Sequence, residues 1–168
     1  MIKDKVSLLI KLSNKNNFNI SVAESCTGGL LSSSIIEQSA ASNIFNSGFV
    51  TYSNTAKVKH LDVDKKLIAI YGAVSKEISL VMAKNLYKKT KSNIIVSITG
   101  VAGPNGGTMK NPVGTVYFTF GIKESNKNII YISNKMNFDL KSRLKIQKKC
   151  VNYVLSQFIE IIKTYKFG

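Results

Sequence analysis

The residues Ile94-Ile95-Val96-Ser97-Ile98-Thr99 form a dense β-branched run. Runs of this kind belong to strands covered on both faces, which require a layer above and a layer below. The rest of the chain offers helices for both layers. Residues 2–14 place Ile2, Val6, Leu9 and Ile10 on one helical face, and residues 14–17 break the pattern. Ile20-Ser21-Val22-Ala23 reads as a short strand, residues 24–29 as a turn and residues 30–38 as a helix. Residues 48–53 alternate like a strand, and Asn54 is placed to cap a short helix over residues 55–60. Asp64 suits the start of a helix that Gly72 closes. Ser75 suits the start of a longer one, with Glu77 in its first turn and Lys88, Lys89 and Lys91 in its last, as the helix dipole favours. Its apolar face is Ile78, Val81, Met82 and Leu86. A Gly-rich loop over residues 100–112 follows the β-branched run. Residues 113–122 and 129–136 then read as an antiparallel strand pair. A last helix, from about Lys141 to Tyr165, carries Leu144, Val151, Val154, Leu155, Phe158 and Ile162 on one side. Helices that alternate with strands and then give way to a hairpin predict a three-layer α/β/α domain on a mixed sheet.

At 168 residues the chain is expected to form one domain, residues 1–168, with no internal repeat or linker. Its longest apolar runs are far short of the roughly 20 residues a membrane span needs. The basic and then apolar start reads as an amphipathic helix, because no small-residue cleavage site follows it. The two cysteines, Cys26 and Cys150, form no CxxC and no Cys/His pair at ligand spacing. A disulfide scaffold and a zinc site are therefore not expected, and a reducing, cytoplasmic setting is. The net charge of +15 invites a nucleic-acid reading. Yet 23 of the 24 basic residues are Lys, and the lone Arg is Arg143. Base reading and phosphate clamping favour the Arg fork, so the charge fits attraction of small anions better than a specific nucleic-acid partner.

Three segments carry residues suited to chemistry. In Ala23-Glu24-Ser25-Cys26-Thr27-Gly28-Gly29, Ser25 stands at a strand-to-helix turn, where a nucleophile is exposed and free N–H groups can hold an oxyanion. The same residues also read as an ordinary helix cap by Ser25 or Thr27. Cys26 is a rival nucleophile, although the only histidine, His60, lies far along the chain. In Thr51-Tyr52-Ser53-Asn54-Thr55-Ala56-Lys57, Lys57 falls in the first turn of a helix. The positive end of the dipole disfavours an ammonium there, and a neutral Lys can take a proton from a serine. As a plain surface Lys it would do neither. The third segment, Thr99-Gly100-Val101-Ala102-Gly103-Pro104-Asn105-Gly106-Gly107, leaves the carboxyl end of a buried strand, where open α/β sheets bind ligands. Its glycines can form an anion nest, though it matches neither a P-loop nor a dinucleotide fingerprint.

Taken in order, these blocks resemble the CinA C-terminal domain family. Residues 21–29, residues 48–54 with Ala56-Lys57, Tyr71-Gly72-Ala73-Val74-Ser75, and residues 97–107 with Pro112-Val113-Gly114-Thr115-Val116 carry the likeness, which runs over about residues 5–160. The resemblance implies a three-layer α/β/α sandwich with a mixed, mostly parallel five-stranded sheet, without the additional N-terminal domain some members carry. It implies deamidation of nicotinamide mononucleotide to nicotinate mononucleotide and ammonia, no metal or organic cofactor, and a homodimer. By matching position it makes Ser25 the nucleophile, Lys57 its base and Tyr52 a hydroxyl that assists proton transfer. Thr99 would contact substrate. The loop with Gly100, Gly103 and Gly106 would hold ribose or phosphate. N–H groups around Thr27, Gly28 and Gly29 would receive the oxyanion. The family tends to carry Phe-x-Gly-Asp-Arg before its last helix, whereas this chain reads Phe138-Asp139-Leu140-Lys141-Ser142-Arg143. Arg143 or Lys141 would then meet the substrate phosphate from a shifted backbone. Two other readings stay open: a member that binds the nucleotide without turning it over, and a basic nucleic-acid-binding protein.

Overall fold

The computed structural model describes every residue except 14, 141 and 168. The expected helix break at Asn14 and the expected start of the last helix at Lys141 lie outside the described residues. In chain order the elements are α1 (Ile2–Ser13), β1 (Ile20–Glu24), α2 (Leu30–Ile36), a short 3-10 turn (Ala41–Asn43), β2 (Phe45–Val50), α3 (Asn54–Leu61), α4 (Lys65–Tyr71), α5 (Lys76–Thr90), β3 (Ile94–Gly100), β4 (Thr115–Ile122), β5 (Ile130–Asn137) and α6 (Arg143–Thr164). The sheet order is β2-β1-β3-β4-β5. β1 pairs in parallel with both β2 and β3, and β4 pairs antiparallel with β3 and β5. Four of the five strands therefore run the same way, and only β4 opposes them.

The period of two along the buried strands sorts their side chains between two layers. Ile94, Val96 and Ile98 of β3 join Ile20 and Val22 of β1 in a core closed by α1, α2 and α6, with Phe118, Phe120 and Phe158 at its centre. Ile95 and Ala23 point the other way and pack with Ile78, Met82 and Leu86 of α5 and with Leu61 and Ile68 of α3 and α4. The same face holds a chain of buried hydroxyls, in which Ser79 of α5 meets Ser97 and Thr119 at 3.0 and 2.9 Å. Polar groups this deep are kept because each finds a partner.

Four local expectations are corrected. β2 lies three residues earlier than read, because residues 45–50 pair with β1 and the chain leaves the sheet at Thr51. That early exit frees Ser53, not Asn54, to cap α3: its hydroxyl accepts from Ala56 N–H at 3.0 Å. β4 begins at Thr115 rather than Val113. Gly114 precedes it at φ 95°, where a Cβ would run into the Phe138 carbonyl. Leu144 is 52% exposed rather than on the buried side of α6. Caps at Asp64 and Ser75 and the closing Gly72 stand where the sequence placed them.

β1 lies at the point where the connections change direction, with β2 on one side and β3 on the other. Ligands in open α/β sheets bind beyond the carboxyl ends of strands at such a point. Glu24, Val50 and Ile98 lie in register there. The segments starting at Ser25, Thr51 and Val101 leave from this edge.

Candidate active site

Ser25 is the first residue beyond β1, and its N–H donates to Ile98 O at 3.0 Å, which holds it against β3. The chain then turns through Gly28 and Gly29, both at positive φ. Glu24, just before Ser25, is completely buried and caps α2 from the side. Its carboxylate accepts from Gly29 N–H (3.2 Å), Leu31 N–H (3.1 Å), Ser32 N–H (2.8 Å) and the Ser32 hydroxyl (2.6 Å). Neither Ser25 nor Thr27 is the cap.

Lys57 sits in the first turn of α3 and is 1% exposed, so it is no surface lysine. Its Nζ donates to Ser25 Oγ at 3.0 Å, to Thr51 O at 2.9 Å and to Tyr52 O at 3.4 Å. Burial away from water disfavours the ammonium and lowers its pKa, and only the neighbouring Cys26 works against that shift. The early exit of β2 is what lets the chain turn back over Ser25 and aim Lys57 inward.

These two side chains open onto a cavity of about 260 Å³. Thr99, Gly100, Gly103 and Gly106 form its far wall, and Tyr52 and Arg143 its rim. The buried Thr99 hydroxyl donates to Ala73 O at 2.7 Å. Tyr52 is 61% exposed, and its hydroxyl accepts from Arg143 at 3.1 Å rather than meeting Ser25 or Lys57. The guanidinium also stacks over the Tyr52 ring at 5.8 Å and donates to Gly103 O at 2.8 Å. Arg143 thus reaches the cavity in spite of its shifted position in the sequence.

Thr27, Gly28 and Gly29 are not brought to the cavity wall. The Gly28 N–H closes the turn onto Ser25 O, and the Gly29 N–H is held by Glu24, so neither faces a ligand. Cys26 lines the cavity but also lies against Cys150, whose thiol is pushed up by their hydrogen bond and by burial. His60 is exposed on α3, outside the wall. No cluster of His, Cys, Asp or Glu fit to hold a metal occurs among the described residues. No helix there is long and apolar enough to cross a membrane.

The CinA C-terminal domain family matches residues 3–162. The chain belongs to that family. A putative competence-damage inducible protein of Thermoanaerobacter pseudethanolicus is 41% identical over 96% of this chain and 37% of its own length. One from Clostridioides difficile is 44% identical over 90% of this chain and 35% of its own. The chain thus spans little more than a third of the curated relatives it matches. Among solved structures, the competence/damage inducible protein CihA of Agrobacterium tumefaciens superposes with a TM-score of 0.86 at 32% identity, covering 95% of this chain and 94% of that one. A CinA superfamily protein of Escherichia coli gives 0.86 at 28% identity, covering 96% and 90%.

As a CinA-family domain the chain has cavity residues that its motifs did not announce. Ala73 and Val74 form part of the wall, from a block that carried no role in the sequence. Asn54, read as a cap, lines the cavity instead. Gln147, one helical turn after Arg143, donates to Cys26 O at 2.8 Å. Its only sequence signal was the four-residue spacing from Arg143 on a helix.

Proposed function

We propose that the chain is an amidohydrolase that converts nicotinamide mononucleotide to nicotinate mononucleotide and ammonia. The observation that carries this reading is the 3.0 Å hydrogen bond between Lys57 Nζ and Ser25 Oγ, made by a lysine shut off from water. A neutral amine has two N–H bonds and one lone pair. The ammonium donates all three contacts, whereas in the neutral amine Thr51 O and Tyr52 O take the two N–H bonds and the contact to Ser25 reverses, with the hydroxyl donating to the lone pair.

Lys57 takes the proton as Ser25 Oγ bonds to the carboxamide carbon. The tetrahedral oxyanion collapses, the C–N bond breaks, and the Lys57 ammonium protonates the departing amine to ammonia. Water then gives a proton to Lys57 and attacks the acyl ester, which releases the carboxylic acid and restores Ser25. Water and side chains suffice, without a cofactor. Tyr52 acts by holding Arg143 at the rim, and Arg143 exchanges its protein partners for the substrate phosphate. The Gly100, Gly103 and Gly106 backbone and the Thr99 wall take the ribose. The net charge of +15 draws the anionic substrate in. The reaction belongs to salvage of pyridine nucleotides, in the cytoplasm. A homodimer fits the exposed Ile130 and Ile132 on the edge strand β5, and sedimentation velocity checks it.

The reading is tested by ammonia release from nicotinamide mononucleotide. Wild type is expected to turn over, and Ser25→Ala to lose at least about a thousandfold in kcat with an unchanged Tm. Full activity in Ser25→Ala with loss in Cys26→Ala would make Cys26 the nucleophile. The second reading is a chain that binds the nucleotide without turnover. Thermal stabilisation by the nucleotide without ammonia release would establish that second reading.

A further inference from the structure

The two cysteines lie at opposite ends of the sequence, yet the fold brings them together as free thiols. Cys26 follows Ser25 in the turn after β1, and Cys150 is on α6. Gln147 ties these two elements, because its Nε2 donates to Cys26 O at 2.8 Å. Cys150 follows one turn later on the same face of the helix. Both cysteines belong to the core closed by α1, α2 and α6, and the Cys150 thiol donates to the Cys26 sulfur.

Their access to solvent differs. Cys26 is 4% exposed and lines the cavity, so a molecule the size of water reaches it. Cys150 is completely buried and is absent from that wall. Burial and the hydrogen bond keep its proton on, so it does not react first. A reachable thiol with a sheltered one against it suits a cysteine that is oxidised and a cysteine that resolves it. Without a resolving partner, Cys26 would pass on to a sulfinic acid, irreversibly, and fix a negative charge in the wall beside Ser25. Disulfides of cytosolic proteins are of this transient kind.

We propose that Cys26 and Cys150 form a reversible oxidation site, in which a peroxide joins them as a disulfide that spares Cys26 from irreversible oxidation. The Cys26 thiolate attacks one oxygen of hydrogen peroxide and the O–O bond breaks. Cys26 becomes a sulfenic acid, and the hydroxide that leaves takes up the thiol proton as water. The Cys150 sulfur then bonds to the Cys26 sulfur, the S–O bond breaks, and the Cys150 proton departs with the hydroxyl as a second water. Two thiols are oxidised and one peroxide is reduced. A dithiol reverses the disulfide by exchange. None of these steps requires Ser25 to be a nucleophile.

The test is peptide mass mapping of the reduced chain after hydrogen peroxide, since the exposed Met1 and Met109 would blur the intact mass by taking up oxygen themselves. Wild type is expected to yield Cys26 and Cys150 peptides joined together, about 2 Da below their sum, and to release both with dithiothreitol. Cys150→Ala is expected to carry Cys26 on to the sulfinic acid, a gain of about 32 Da that dithiothreitol does not reverse. Wild-type thiols that both stay free, or a wild-type Cys26 that gains oxygen instead of a partner, overturns the proposal without any variant having to fold. A disulfide that joins two chains through Cys26, seen as a dimer on a non-reducing gel, overturns it as well. So does a Cys26 that stays fully reducible in Cys150→Ala.

Discussion

The turn after β1 and the loop after β3 leave the same edge of the sheet, yet they use their main-chain N–H groups differently. In the first, Ser25 N–H is bonded to Ile98, Gly28 to Ser25, and the start of α2 is gripped by the Glu24 carboxylate, which leaves Cys26 and Thr27 N–H without an acceptor among the described residues. In the second, Val101 N–H bonds to Thr115 O, but Ala102, Gly103, Asn105 and Gly106 N–H have no acceptor among the described residues. If Ser25 is the nucleophile, as proposed, it must not move by even an ångström, and internal hydrogen bonds suit that need. A binding loop keeps its donors for an incoming anion. The difference teaches that backbone satisfied within the protein and backbone left open can share one cavity, as the proposed division between chemistry and binding requires.

The sharpest way to break this division is to remove Lys57, which joins the rigid turn to the chemistry. Lys57→Met is expected to lower kcat by at least about a thousandfold. Stability should move the other way. Burial holds the folded pKa of Lys57 below its ordinary 10.5. Between the two values the unfolded chain binds the extra proton, so wild-type stability rises with pH up to about 10.5. Lys57→Met loses that slope and unfolds at an equal or higher temperature at neutral pH, as calorimetry across pH would record. In wild type, kcat should climb with pH and level off below the ordinary lysine range, because only neutral Lys57 accepts the proton. A flat pH profile would remove Lys57 as the base.

A smaller effect is expected at Glu24, and on stability before activity. Glu24→Ala leaves three N–H groups without their acceptor and empties a fully buried position. Losing a buried charged acceptor of this kind costs about 3 kcal/mol, measurable by urea unfolding. Nucleotide binding to the Gly-rich loop should survive in whatever fraction stays folded, because that loop owes nothing to Glu24. Equal loss of stability and of nucleotide affinity per folded molecule would show that the two segments are one unit.

Much of this was legible in the sequence, for local reasons. The β-branched run and the caps at Asp64 and Ser75 depend on neighbours a few residues away, and they lie where the pattern put them. The meeting of Ser25 with Lys57 joins residues 32 apart in sequence and depends on how β2 ends. β2 was misplaced because Ser53 and Asn54 are both good caps, and pairing with β1 decided between them. The fate of the amides at Gly28 and Gly29 was hidden for a similar reason. A Gly-Gly pair reads as open backbone, whereas Glu24 reads as a polar turn residue until the fold buries it completely. Gln147 lies 121 residues from the carbonyl it holds, beyond the reach of any local pattern.

The finest test of the division lies at the rim, where Arg143 spans both kinds of backbone. Its two nitrogens hold Gly103 O and Tyr52 OH at 2.8 and 3.1 Å, a fork that the single ammonium of lysine does not reproduce. Arg143→Lys keeps the charge and removes the fork. If the Gly-rich loop binds the phosphate with Arg143 as its partner, KM for the mononucleotide should rise about tenfold, with kcat nearly unchanged, since the rigid turn is untouched. The KM of the variant should also climb more steeply with salt, because a point charge without geometric fit is screened more readily. A fall in kcat at constant KM would place Arg143 on the chemical side of the cavity. In that case the rim serves Ser25 through Tyr52 and Lys57, and the loop binds its anion with backbone alone.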